Sequence, residues 1–150
     1  MMNEELKKQL RNRRICVVIP TYNNDKTIKT VVEKCLLYCD DVIVVTDGCT
    51  DRTTDILHAI DGITIVSYPQ NRGKGYALKM GFRRALEMGF SYAITLDGDG
   101  QHYPEDIPLF LKANQQHPQS LIIGSRQLEG VDRTKGSSFA NKFSNFWFYV

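Results

Sequence analysis

Tyr92-Ala93-Ile94-Thr95-Leu96-Asp97-Gly98-Asp99-Gly100-Gln101-His102 is the stretch on which the reading of this chain turns. Tyr92 to Leu96 is an apolar run of strand type, and it ends in two carboxylates one residue apart. A buried strand that delivers Asp97 and Asp99 from its carboxyl end makes a site for a hard cation. Carboxylate and carboxamide oxygens suit Mg²⁺ or Mn²⁺, which take one or two protein carboxylates and complete their shell with phosphate oxygens and water. Gly98 and Gly100 let the backbone approach a large ligand. The competing reading is an acid-capped turn before a helix, because Pro104-Glu105-Asp106 has the composition of a helix start.

Three other segments repeat the pattern of an apolar strand ending in polar residues. Ile15 to Ile19 is a strand that Pro20, lacking an N–H, is expected to stop. Thr21-Tyr22-Asn23-Asn24 follows, with a ring to stack on a base or ribose and carboxamides to hydrogen-bond either. Val42 to Val45 leads into Thr46-Asp47-Gly48-Cys49-Thr50-Asp51, where Asp47 leaves the strand end and Thr50 or Asp51 is placed to cap the next helix. Asn71-Arg72-Gly73-Lys74-Gly75 precedes an amphipathic helix, where a lysine between glycines can meet a phosphate. The spacing is not that of a P-loop, and G-x-G-x-x-G is absent, which counts against a dehydrogenase-type dinucleotide fold.

Strands are predicted near 15–19, 42–46, 63–68, 92–97 and 120–124, and helices near 27–38, 52–59, 75–88, 105–116 and 137–148. In the helix at 75–88, Leu78, Phe82, Ala85 and Leu86 make the apolar stripe. Alternation of this kind implies an α/β fold with a mostly parallel sheet and helices on both faces. All four motifs then fall at carboxyl ends of strands and converge on one edge, where open α/β sheets bind ligands.

With 150 residues the chain can bury a real core, removing about two-thirds of its unfolded surface from water. A net charge of +2 makes no case for nucleic acid. Cys16, Cys35, Cys39 and Cys49 lack zinc or C-x-x-C spacing, and Cys35 and Cys39 share a helix face, which reads as core packing. No secretory signal is seen, so the thiols are expected to be reduced and the protein cytoplasmic. Residues 1–14 form a basic N-terminal helix or tail that could touch anionic lipid, and residues 15–150 form the ligand-binding domain. The aromatic run Phe139, Phe143, Phe146, Trp147, Phe148 and Tyr149 is too short to span a bilayer. If exposed, it is a candidate for self-association.

Val18-Ile19-Pro20-Thr21-Tyr22-Asn23, Asp47-Gly48-Cys49-Thr50-Asp51-Arg52-Thr53, Asn71-Arg72-Gly73-Lys74-Gly75, Asp97 to His102 and Gly124-Ser125-Arg126 form an ordered set. Together they resemble the family 2 glycosyltransferases, in particular the branch that transfers sugars onto polyprenyl phosphates. The resemblance covers roughly residues 15 to 148. It implies a Rossmann-like GT-A fold and a nucleotide diphosphate sugar as donor. Pro20, Thr21, Tyr22, Asn23 and Asp47 would hold the nucleoside, with Asp47 on the base, and Asp97 would contact the ribose side. Asp99 and Gln101 would hold Mg²⁺ or Mn²⁺ beside the diphosphate. Arg126, and less directly Arg133, would face a phosphate. The chain departs from the family pattern at Asn24 and Thr46, where acids are common, and at Cys49, where Ser is. The resemblance also implies a chain that ends short of the acceptor half of the family.

Transfer of this kind would be inverting. A lipid phosphate acceptor is already ionised at neutral pH and needs no general base, so Arg126 would orient it. A saccharide hydroxyl would need a carboxylate base, and Glu129 and Asp132, the acids after residue 106, read as loop surface charge. A donor-binding fragment without transferase activity and a nucleotidyltransferase are the alternatives. The second would want a glycine-rich basic loop where Pro20 to Asn24 has no glycine. Acceptor binding at a membrane surface would make the protein peripheral to the cytoplasmic membrane.

Overall fold

The structure is a computed structural model, and it describes residues 1–124 together with the backbone of residues 146–149. The elements run α1 (Met2–Asn12), β1 (Ile15–Thr21), α2 (Ile28–Tyr38), β2 (Val42–Asp47), α3 (Thr53–His58), β3 (Ile63–Tyr68), α4 (Lys74–Glu87), β4 (Tyr92–Thr95), a 3₁₀ turn (Pro104–Asp106), α5 (Ile107–Gln116), β5 (Ile122–Ile123) and β6 (Phe146–Tyr149). The sheet has the order β3-β2-β1-β4-β6-β5. β3, β2, β1 and β4 are parallel neighbours, and β6 is antiparallel to both β4 and β5.

Side-chain alternation along β1 and β2 splits the core in two. Ile15, Val17, Ile19, Val42 and Val44 face a layer built from α1, α2, α3 and α5, which contributes Leu10, Val32, Leu57 and Phe110. Cys16, Val18, Ile43 and Val45 face α4. With both faces covered, β1 and β2 are buried throughout, which is why they read as continuous apolar runs.

Several details differ from the sequence reading. β1 continues through Pro20 to Thr21, in register with Val45 and Thr46. Val17 donates its N–H toward β2 and Val18 accepts from Leu96 on the β4 side. Alternation therefore turns the Pro20 nitrogen toward β4, whose pairing with β1 has already ended at Val18↔Thr95. The missing N–H costs no ladder bond there. On α4 the buried stripe is Ala77, Gly81 and Ala85, and Leu86 is exposed. Small residues let that helix lie close on the sheet, so the larger Leu78 and Phe82 flank the contact. The helix expected at 137–148 is contradicted at its end, where Phe146–Tyr149 is a strand. Aromatic residues favour strands, and the free edge of β4 supplies the partner, with Trp147 opposite Ile94 and Tyr149 opposite Tyr92. The backbone of Phe146–Tyr149 is thus used inside the sheet. Residues 137–145 lie outside the described residues.

The basic N-terminus is a packed helix. Leu10 is buried, Lys7 and Arg11 pair with Asp40, and Arg13 donates to the Asn114 carboxamide oxygen at 2.8 Å. Cys16, Cys35 and Cys39 are free and buried. Burial pushes the Cys39 thiol up to about 12 and raises Cys16 and Cys35 further, so all three stay protonated and act as core residues. Among the described residues no helix is long and apolar enough to cross a membrane.

Candidate nucleotide-sugar site

A cleft of about 300 Å³ opens at the carboxyl ends of β1, β2 and β4. Pro20, Thr21, Tyr22 and Asn24 line it from the β1 end, Asp47 from β2, Gly73 and Lys74 from the start of α4, and Asp97, Gly98 and Asp99 from the loop after β4. The fold therefore brings together residues far apart in sequence, because parallel strands end on the same edge.

Side-chain to backbone bonds fix these loops to one another. Asp47 is 3% exposed, and its two oxygens accept the N–H groups of Arg72 and Gly73 at 2.8 and 2.9 Å. Gly48 (φ +65°) makes that approach possible, since a Cβ there would lie 2.2 Å from the Asn71 nitrogen. Gly98 does the same between β4 and β1. A Cβ would meet the Thr21 hydroxyl at 2.7 Å, and the Gly98 carbonyl accepts from Thr27 Oγ1 at 2.7 Å.

Asn23 is placed differently from the expectation. It has φ +50°, its carboxamide oxygen accepts the Thr50 and Asp51 N–H groups, and its Nδ2 donates to Thr50 Oγ1. It ties the loop after β1 to the loop after β2 and does not line the cleft, whereas Asn24 does. Gly98 lines the cleft, as expected of a glycine that lets the backbone approach a ligand, and Asn71 and Ala77 line it as well; these two carry no charge or ring that would mark them. Gln101 is exposed, and its N–H donates to Asp99 Oδ1 at 3.0 Å. Arg126 and Arg133 lie outside the described residues.

Asp51 supports this scaffold. It accepts the Thr53 N–H at 2.9 Å and the Asp25 N–H at 3.2 Å. Burial pushes its carboxyl up, but the Thr53 hydroxyl and N–H and the Asp25 N–H outweigh burial, and the group titrates below the usual carboxylate range. A depressed carboxylate stabilises the fold above the unfolded-state pKa, and the contribution disappears as pH falls through the folded value. Asp51→Asn is therefore expected to melt slightly lower than wild type at neutral pH, since solvent screens the carboxylate and Asn still accepts one of the two N–H groups. The gap should close as pH falls through and below the ordinary Asp range; melting curves that stay apart in acid would contradict this origin.

The electrostatics of the cleft limit what it can hold. Asp97 is paired with Lys74, whose Nζ lies 2.6 Å from one carboxylate oxygen and 2.8 Å from the other. Asp47 and Asp99 have no lysine of their own in the lining. Among the described residues of the lining, carboxylates outnumber cations, and against these residues a polyanion such as a diphosphate would be repelled unless a cation came with it. Among the described residues no three His, Cys, Asp or Glu side chains form a closed metal cage. An exposed Asp99 with Gln101 two residues on offers the kind of sparse oxygen donors that a Mg²⁺ or Mn²⁺ shared with phosphate takes. The residues present fit such an ion.

The model of the glycosyl transferase family 2 matches residues 16–147. The dolichyl-phosphate N-acetylglucosaminyltransferase of Methanococcus voltae, which uses UDP-N-acetylglucosamine, is 31% identical over 129 residues, covering 75% of this chain and 51% of that protein. The undecaprenyl-phosphate mannosyltransferase of Micrococcus luteus is 32% identical over 123 residues, covering 78% and 50%. The chain thus spans about half the length of the curated relatives it matches. Among solved structures, glucosyl-3-phosphoglycerate synthase of Mycobacterium tuberculosis with Mn²⁺, UDP and glucosyl-3-phosphoglycerate superposes with a TM-score of 0.63 at 26% identity, covering 81% of this chain and 47% of that one. The same enzyme with Mg²⁺ and UDP gives 0.61 at 25% identity, covering 81% and 46%. The strand order, the cleft at the carboxyl edge and these matches agree: the chain belongs to the family 2 glycosyltransferases and carries their GT-A fold.

Proposed function

We propose that this chain forms the donor-binding part of an inverting transferase that moves a sugar from a nucleotide diphosphate sugar onto a polyprenyl phosphate. The observation that carries the reading is the cleft joining Pro20–Tyr22, Asp47, Lys74, Asp97 and Asp99 at one sheet edge. The names of the relatives, which act on dolichyl and undecaprenyl phosphates, support the acceptor class.

In this reading Tyr22 and Asp47 receive the nucleoside, with Asp47 accepting hydrogen bonds from the base, and Asp97, held by Lys74, faces the ribose. Asp99 and Gln101 hold the Mg²⁺ or Mn²⁺. When bound, that ion stabilises the negative charge that develops on the departing diphosphate. An oxygen of the acceptor phosphate attacks the anomeric carbon from the face opposite the diphosphate. The new C–O bond forms as the old one breaks, and the electron pair leaves with the diphosphate. The acceptor oxygen is already ionised, so no proton needs to be removed. Arg126 is assigned to orient the acceptor phosphate, and Arg133 to assist, because a guanidinium grips phosphate in a bidentate fork that lysine does not reproduce. Catalysis takes place at the cytoplasmic membrane surface, where the acceptor resides.

The test is transfer from a panel of nucleotide sugars, with Mn²⁺ present, to a polyprenyl phosphate and to the corresponding uncharged polyprenol. Turnover of the phosphate alone is expected, with Arg126→Lys lowering transfer at least tenfold more than it lowers donor binding. Equal turnover of phosphate and alcohol would rule out the lipid-phosphate acceptor and favour a saccharide-type hydroxyl mechanism with a general base. Donor binding without transfer to either acceptor would leave the chain as a binding unit only.

A further inference from the structure

The loop Asp97-Gly98-Asp99-Gly100-Gln101-His102 carries the candidate cation ligands, yet two of its six residues are glycine. Glycine permits the close approach to Thr21 but does not enforce any one loop shape, and it raises the entropy lost on ordering. Something else must hold the loop. His102 is 8% exposed, beneath a loop whose Asp99, Gly100 and Gln101 are exposed. Its Nδ1 accepts the Asp97 N–H at 2.9 Å, closing the six residues head to tail. A ring nitrogen that accepts carries no proton, so the proton sits on Nε2. That nitrogen is 3.8 Å from Asp97 Oδ2, on the same residue whose backbone the other nitrogen holds. Lys74 holds the Asp97 carboxylate at 2.6 Å.

We propose that His102 is a positioning residue: it clasps the acidic loop shut through the Asp97 N–H and so presets Asp99 and Gln101 for a cation and diphosphate. The inference rests on the donor-site reading above for its ligand, but the clasp itself is a property of the chain alone. Loss of a group that orients a metal-binding segment typically costs 10–100-fold in metal affinity. The side chain has three separable features: volume, an acceptor at Nδ1 and a donor at Nε2. Phe keeps the volume and loses both polar functions, whereas the Asn carboxamide oxygen falls near the position of Nδ1 and restores the acceptor, so the difference between the two variants reports the acceptor at Nδ1.

The experiment compares wild type, His102→Phe and His102→Asn by calorimetry with UDP and Mn²⁺ and by amide hydrogen exchange without ligand. ¹⁵N NMR of the wild-type imidazole is recorded alongside. His102→Phe should weaken Mn²⁺-dependent UDP binding about tenfold or more, speed exchange of the Asp97 amide about tenfold or more, and lower the melting temperature, because the Asp97 N–H loses its acceptor. His102→Asn should recover most of both, and the wild-type ring should show an unprotonated Nδ1. Wild-type behaviour of the Phe variant, an Asn variant no better than Phe, or a protonated Nδ1 would each overturn the clasp. If wild type binds neither UDP nor any other nucleoside diphosphate with Mn²⁺, the donor reading fails. The clasp is then decided by the exchange and nitrogen data, which also decide it if the Phe variant does not fold.

Discussion

Asp99→Asn is expected to remove most of the Mn²⁺- or Mg²⁺-dependent gain in nucleoside diphosphate affinity while leaving the fold intact. Asp99 is exposed and lines a cleft whose described residues carry more carboxylates than cations. Its removal costs little packing, and the neutral amide is a far poorer ligand for a hard cation. Asp97 cannot substitute, because its carboxylate is engaged by Lys74. The loss should reach about a hundredfold in metal-dependent affinity, at the top of the range seen for the outer-shell partners of metal sites. Melting temperature should be unchanged without metal. Calorimetry of nucleoside diphosphate with and without Mn²⁺ checks this, and equal metal dependence in wild type and variant would place the ion elsewhere.

Asp47→Ala should behave quite differently and cost stability as well as binding. A base contact alone would cost about 1.5–3 kcal/mol of nucleotide affinity, the scale of a hydrogen bond to a charged group, and nothing in stability. In the structure the same carboxylate holds the Arg72 and Gly73 N–H groups and is itself buried. Removing it leaves two donors without their charged acceptor, for about 2–4 kcal/mol of folding free energy and about 5–15 °C in Tm. Asp47→Asn should not rescue, because one oxygen cannot accept both bonds and the amide NH₂ would face a donor. Lys74 begins the helix that this segment leads into, so its hold on Asp97 should loosen too. Thermal melts without ligand decide the matter, and an Asp47→Ala protein that melts like wild type would return Asp47 to a purely ligand-facing role.

These two aspartates show how unevenly the site was legible. Asp99 is legible because a carboxylate after a buried strand and between glycines stays exposed, and it accepts a local hydrogen bond, from the Gln101 N–H. Asp47 reads the same way in sequence, yet its partners lie in a segment 25 residues away, and only the parallel pairing of β2 with β3 brings that segment alongside. Asn23 and His102 repeat the lesson. A carboxamide beside a tyrosine suggests ligand binding, but it is consumed by Thr50 and Asp51 across the loop. A histidine after the acidic motif carries no pattern of its own, and its closure back onto Asp97 appears only in three dimensions.

What the sequence determined by itself was the layered α/β architecture, the parallel core strands and the edge at which function concentrates. Those follow from local physics: β-branched runs of strand length, helical periodicity, and the rule that parallel strands end together. Where each strand stops and how the sheet ends were decided by tertiary pairing. β1 runs through Pro20 because β4 has already turned away on that side, and α4 turns its small residues inward because close packing on β1 and β2 outweighs the burial of Leu86. Phe146–Tyr149 becomes a strand because β4 offers an open row of hydrogen-bonding groups. The committed side chains of the cleft were decided the same way. Each polar group inside a fold takes the nearest partner the folded chain brings to it, and a linear sequence does not show which partner that is.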